Sequence, residues 1–483
     1  MRAPALAGAL VALALAFFIV RPAPPSIAPT ALRDFEAYYA GGKTWAAHHD
    51  PYSRDLWNAE RTIPGVVASR DEVLPFVGPP FALPLWAAFA RLNYAWACVL
   101  WRALLVLCVP VIALGSLRLA RGSLHLREIV AALTLCTAFA PLTSGLALGQ
   151  AAIASCAALV LVTLALRARK PFAAWMGGFA AALQPNIGMA LLGLIDRPSR
   201  AALFGSLALL AMLCAIALGG FEQLAKYVAT LQAHASAERF MAIQVTPTAA
   251  LRALGTPSIV AVMTGLLVAL VIIARTASIL RAGDYDDGAR LAVTCAALPL
   301  VNPFAHEHDL AIALIAGLIC LQRARGSAWF VASAAVLLVA VDWLGLEQRP
   351  AAALQSVFLA LAAALAIVAL RREPVRLAHW ALSAIALVVA GLSLLARQEP
   401  LPVWPDALPL TSHASTHVSI SALWAKEQLR SGLGILHPLS GALRLLSLAG
   451  CALLWHVCAE ALRKPSTRRE IRRADVEGIA ASA

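Results

Sequence analysis

The sequence predicts an all-α polytopic membrane protein of about a dozen transmembrane helices. Three observations predict it: 61% apolar against 13% charged residues, apolar stretches recurring along the whole chain, and basic residues gathered in the short segments between them. A soluble domain carries roughly 45–50% apolar and 25% charged residues. A water-soluble fold of 483 residues cannot hide the excess apolar surface, so lipid is the natural solvent.

The formal charge of +13 is explained by where it sits. A nucleic-acid binder would present a basic stripe or helical face. Here the cations form clusters between apolar runs: Arg118, Arg121 and Arg127; Arg167, Arg169 and Lys170; Arg197 and Arg200; Arg323 and Arg325; Arg371, Arg372 and Arg376; and a dense tail from Arg463 to Arg473. That is the positive-inside pattern of cytoplasmic loops, and no nucleic-acid partner is needed. The nine cysteines lie within or at the ends of apolar segments and form no CxxC pair, which argues against a disulfide framework or a zinc site.

Taken in order, crossings are expected near 4–21, 94–117, 128–145, 150–167, 201–219, 257–280, 289–303, 307–322, 328–346, 351–370, 378–396 and 440–461. The first reads as a retained signal-anchor. Residues 79–92 open with Pro79-Pro80 and are too short to span. Residues 171–195 are interrupted at Gln184-Pro185-Asn186 and flanked by basic clusters, the pattern of a re-entrant helix pair. Alternation then puts both termini in the cytoplasm. The opposite side receives three polar loops, 22–78, 220–256 and 397–435, and the turn Asn302 to His308. The first loop is too long for a connector and holds Tyr38, Tyr39, Trp45, Tyr52 and Trp57, so amphipathic helices along the membrane surface are expected there. The organisation is thus a module at 1–322 that includes loop 22–78, further helices at 323–461 with the lid-like loop 397–435, and a basic tail at 462–483.

Three outer motifs follow an initial apolar segment: Asp34-Phe35-Glu36-Ala37-Tyr38-Tyr39-Ala40-Gly41-Gly42, then Asp50-Pro51-Tyr52, then Phe76-Val77-Gly78-Pro79-Pro80. In content and order they resemble the GT-C membrane glycosyltransferases, specifically glycosyltransferase family 87, which includes polyprenyl-phosphate-mannose-dependent α-mannosyltransferases. Gly149-Gln150, Gln184-Pro185 and Asn302-Pro303-Phe304-Ala305-His306-Glu307-His308 are similar to later elements of that family. This chain has Gly78 where the family commonly has Tyr, Gln184 in place of Lys, and His306 where Trp is usual.

The resemblance implies a GT-C fold and an inverting hexosyltransferase working at the extracytoplasmic face, with a polyprenyl-phosphate sugar as donor and a lipid or glycan as acceptor. An acceptor hydroxyl must lose its proton as it attacks, so a carboxylate at the membrane surface is the expected base. Asp34 is that residue by resemblance; its plainer reading is a helix N-cap. The departing phosphate calls for cations or hydrogen-bond donors, for which Arg33, Lys43, His306 and His308 are the candidates, and Gln150 could hold a sugar hydroxyl. His306 and His308 could equally be a solvated turn. As a metal pair they lack an identifiable third ligand, and no cofactor is implied. Asp284-Tyr285-Asp286 has DxD spacing but lies between Arg281 and Arg290, where a solvated cytoplasmic loop is the expectation. A secondary transporter or lipid-linked sugar flippase is the rival class, although no repeat between two halves is visible. The alanine- and arginine-rich composition suits a bacterial inner membrane.

The topology is open to a direct test. Single cysteines placed in loop 22–78 should react with a membrane-impermeant maleimide in intact spheroplasts, and cysteines in the 462–483 tail should react only after lysis. The reverse pattern would refute the orientation.

Overall fold

Proline and glycine punctuate the apolar sequence, and the helices follow that punctuation. Pro171, Pro198 and Pro247 each stand in the first turn of a helix, where a missing N–H costs nothing. Gly122 and Gly149 close helices with positive φ values of 81° and 77°. The structure is a computed structural model. It describes residues 32–63, 74–341 apart from 123 and 242, 353–371, scattered positions between 381 and 391, 420–430, 434 and 438–463. The expected segment 4–21, most of loop 397–435, most of the 378–396 crossing and the tail beyond 463 lie outside the described residues.

Among the described residues the chain is helical, with no strand and one isolated bridge between Gln244 and His306. Four helices are long and apolar enough to cross a membrane: Tyr94–Arg121, Pro198–Glu238, Ser258–Ala282 and Gly441–Ala461. A fifth crossing arises if Leu126–Ala138 and Ala140–Leu148, bent by 65°, count as one broken span. Other expected crossings are shorter helices, such as Ala151–Arg167, Asp287–Val301 and Gly326–Ala340. Burial supplies the reason. The Asp287–Val301 and Ile312–Arg323 helices are enclosed by protein along nearly their whole length. By contrast only 11% of the apolar window of Ser258–Ala282 is covered. Central helices satisfy their surface against neighbours, while peripheral ones must match the lipid.

Two expectations change. Segment 220–256 is not a polar loop. Its helix continues through a single break at Gly220 (φ 73°, ψ −178°) to Glu238, and Pro247–Ala253 adds another turn of helix. Residues after the break, Phe221-Glu222-Gln223-Leu224-Ala225-Lys226, are good helix formers, so the chain resumes the helix in a new direction. The Arg33–Ala46 helix is also more enclosed than an amphipathic surface helix would be. Ten of its fourteen residues are buried, because Phe35, Tyr38 and Tyr39 drive it into the protein against the Leu83–Ala90 helix. The break at 182–184 is as expected. Ser155 Oγ accepts from the freed Gln184 N–H at 3.1 Å and donates to the Ala180 carbonyl at 3.3 Å, supplying partners that lipid cannot.

The basic clusters meet at one end of the bundle and are more than solvated charge. Arg323 donates to the carbonyls of Leu119 and Ala120 and pairs with Asp286 at 2.9 Å. Arg121 and Arg127 donate to carbonyls of Gln322 and Ala369, and Arg200 forms a bidentate pair with Asp287 at 2.6 and 3.0 Å. Asp286 also caps the next helix by accepting from Ala289 N at 2.8 Å. The DxD spacing is therefore structural, correcting the expectation of a merely solvated loop. The Tyr94–Arg121 helix runs from the opposite end to this one, and its 28 residues rise about 40 Å.

Arginine is required in these contacts for its planar fork. Arg323→Lys should keep the charge and membrane orientation yet lower Tm by several degrees in detergent, as expected for loss of about 1–3 kcal/mol of charge-assisted hydrogen bonds. An unchanged melting curve would refute the capping role.

Candidate active site

Aromatic packing positions the Arg33–Ala46 helix. Phe35 stacks near-parallel on Trp101, with ring centroids 5.6 Å apart, and meets Phe89 edge-on at 5.6 Å. One turn on, Tyr38 stacks on Trp86 at 4.7 Å. With these faces buried, Asp34 in the first turn is left half-buried and makes no capping bond with its own helix. The reading of Asp34 as a plain N-cap therefore does not hold.

Gly149 brings the second element in. A Cβ there would lie 2.8 Å from Leu32 Cβ and 2.9 Å from Phe35 Cβ, and its φ of 77° already favours glycine. Trp101 Nε1 donates to the Gly149 carbonyl at 2.7 Å, fixing the turn. Gln150 then reaches Asp34. Its Nε2 donates to Asp34 Oδ2, and its Oε1 accepts from the Tyr38 hydroxyl at 3.3 Å, so the amide has one consistent orientation. Asp34 Oδ1 has no hydrogen-bond partner among the described residues.

The third element is the turn after the Asp287–Val301 helix. Val245 N donates to the Ala305 carbonyl at 2.7 Å and Ala305 N donates to Gln244 Oε1 at 3.1 Å, pinning the turn to the segment after Glu238. Asp309 accepts from the His306 N–H at 2.9 Å in a capping box. His306 Nε2 lies 2.7 Å from Glu238 Oε2. Glu238 is fully buried and accepts further from Gln244 Nε2 at 3.0 Å and from Trp424 Nε1, with His234 at 3.7 Å. His306 and His308 rings are 5.2 Å apart.

The two histidines are driven in opposite directions. Burial opposes charge on His306, but the Glu238 carboxylate outweighs it through charge and hydrogen bond, with Asp309 and Asp34 adding, and the pKa rises. Burial lowers that of His308, and the neighbouring His306 adds to the effect. The charge of Asp34 acts on both rings and on Tyr38, so these groups share one electrostatic environment.

Of the sequence candidates, Asp34, Gln150, His306 and His308 thus come together. Arg33 is buried beside Asp34 in the same helical turn. Lys43 is not in the cluster: it lies nine residues along the helix, about 14 Å in rise, and donates to Thr62 Oγ1 at 3.2 Å. Sequence reasoning missed Glu238, His234, Gln244, Asp309 and Trp424. The available signal was His234 and Glu238 at i and i+4, which share one face once that segment is helical. Among the described residues no group of three or more His, Cys, Asp or Glu could hold a metal.

The fold and site together describe an all-helical membrane protein with a carboxylate, an amide and a histidine pair gathered at one end of its bundle. Residues 76–303 match the model of glycosyltransferase family 87. The matched segment contains Gln150 and Glu238, while Asp34 and His306 lie on either side of it. No curated protein and no solved structure matches the chain.

Gly149→Ala tests the assembly. It should destabilise the protein by about 1–3 kcal/mol through the left-handed φ and overpacking. Gly205→Ala, in open space on a peripheral helix, should leave Tm unchanged or slightly raised. Equal melting points for the two variants would contradict the close approach at Gly149.

Proposed function

We propose that this glycosyltransferase moves a hexose, mannose by resemblance, from a polyprenyl-phosphate donor to a lipid or glycan acceptor, with inversion, on the extracytoplasmic face of a bacterial inner membrane. The observation that supports this reading best is Asp34, held through one carboxylate oxygen by Gln150 while the other has no partner among the described residues. Asp34 takes the proton of the acceptor hydroxyl as that oxygen attacks the anomeric carbon. The bond from that carbon to the phosphate oxygen breaks, and its electron pair leaves with the phosphate. His306, charged by its partnership with Glu238, stabilises the negative charge that develops there. His308, driven toward the neutral form, supplies a hydrogen bond without adding a second positive charge. Arg33 is the further cation nearest Asp34 in sequence. The family match over residues 76–303 weighs against the transporter reading.

The assay is protein in nanodiscs with radiolabelled polyprenyl-phosphate mannose and candidate lipid acceptors. Asp34→Asn should fold normally and lose about 10²–10⁴-fold in transfer rate, the usual cost of a general base. Asp55→Asn, an exposed carboxylate on the same outer segment, is the control and should be close to wild type. Substantial transfer by the Asp34 variant would overturn the role.

The histidine gives a pH signature. Its raised pKa means that its pairing contributes stability fully below the ordinary histidine value of about 6.5, and that this is lost as pH rises through the higher folded value. Transfer should decline over the same alkaline range. Glu238→Gln removes the carboxylate that raises the pKa, so the alkaline limb should move to lower pH. An unmoved limb in a folded Glu238→Gln protein would exclude His306 as the titrating group.

A further inference from the structure

A second concave site lies at the far end of the Arg33–Ala46 helix. It is a cavity of about 520 Å³ bordered by Trp45, Asp50, Arg91, Glu222, Gln223 and Lys226, within the size range of small-molecule sites. Asp34 is not among its walls. Trp45 is eleven residues along the helix from Asp34, a rise of about 16 Å. The Gly220 break forms the opposite wall, since it turns the helix just where Glu222, Gln223 and Lys226 begin. Phe221, between them in sequence, is 74% exposed, which puts the cavity beside the end of an apolar span.

The chemistry of the walls selects the ligand. Lys226 bridges Asp50 at 3.0 Å and Glu222 at 2.7 Å, so two carboxylates face two cations. A phosphate would meet both carboxylates, whereas a neutral polyhydroxylated ligand would use carboxylate, amide and guanidinium alike. The Arg91 guanidinium makes no hydrogen bond or ion pair among the described residues, and Gln223 Oε1 is an unmet acceptor. Trp45 adds an aromatic body with its Nε1 turned to the Leu218 carbonyl. On the rim, His48 occupies a left-handed conformation (φ 62°) after the helix end, a place where glycine is usual. A continuous run of rings, Tyr38, Phe76, Tyr52 and Tyr227, with centroids 5.4–6.3 Å apart, joins the Gln150 environment to the residue beside Lys226.

We propose that this cavity binds the neutral oligosaccharide part of a lipid-borne acceptor, gripping sugars back from the reacting end so that the terminal hydroxyl reaches Asp34. The inference rests on the glycosyltransferase reading and narrows the acceptor to a chain of several sugars, because one sugar held beside Trp45 could not also touch Asp34.

The test is titration calorimetry on the full chain in nanodiscs with a neutral mannotriose as probe and inorganic pyrophosphate as anionic comparison. The trisaccharide should bind, Arg91→Ala and Glu222→Gln should each weaken it about tenfold or more, and Asp34→Asn should bind it as wild type does. Melting curves of both cavity variants should match wild type, since both residues are exposed. Failure of the trisaccharide to bind, equal binding by the cavity variants, or pyrophosphate binding that Arg91→Ala abolishes would each overturn the proposal. Wild-type transfer, measured alongside, separates the two readings. Transfer without trisaccharide binding removes the acceptor site alone, while trisaccharide binding without transfer from any polyprenyl-phosphate sugar overturns the enzymatic reading and leaves an oligosaccharide site that serves no acceptor.

Discussion

The close approach of Gly149 to Leu32 and Phe35 is the contact on which the Asp34 end of the molecule depends. Two helices meet there backbone to side chain with no room for a methyl group, and the Trp101 indole both stacks on Phe35 and donates to the Gly149 carbonyl. Apolar burial of the aromatic residues provides the driving force, and the single donated hydrogen bond sets the register. Shift either helix by one residue and Gln150 no longer faces Asp34. The polar pair is thus a consequence of the apolar packing behind it.

Glu238 poses the opposite problem, an ionisable group with no exposed surface. Burying a carboxylate is tolerable only with charge and hydrogen-bond partners; Gln244 comes from the same segment, His306 and Trp424 from two others, three stretches of chain in all. Such an arrangement adds little net stability. It ties three distant segments to one point and orients the His306 ring. Partial satisfaction would be worse than an apolar replacement, so the network has reason to form as a whole.

The fold class was legible because composition and charge clustering are properties that lipid imposes on any sequence. Asp34, Gln150 and the His306 turn were legible through short motifs in order. What sequence periodicity could not show was depth. The Arg33–Ala46 helix alternates polar and aromatic residues like a surface helix, yet Trp86 and Trp101, far along the chain, cover its aromatic face. Glu238 was hidden for a related reason. Gly220 reads as the end of a span, and only the geometry shows that the helix restarts and carries His234 and Glu238 inward. Span lengths were misjudged for central helices, since a helix wrapped by protein is free of the thickness rule that governs Ser258–Ala282.

The arginines at the basic end answer to two separate requirements. The positive-inside rule asks only for charge between apolar segments, and any lysine would serve. After folding, Arg121, Arg127 and Arg323 reach across to carbonyls on neighbouring helices, joining segments about two hundred residues apart in sequence. A helical hairpin inserted the wrong way round would leave those carbonyls uncapped and its own guanidiniums on the wrong side. The folded contacts thus admit one arrangement of these helices, and a lysine in any of the three places would carry the charge without the fork that joins them.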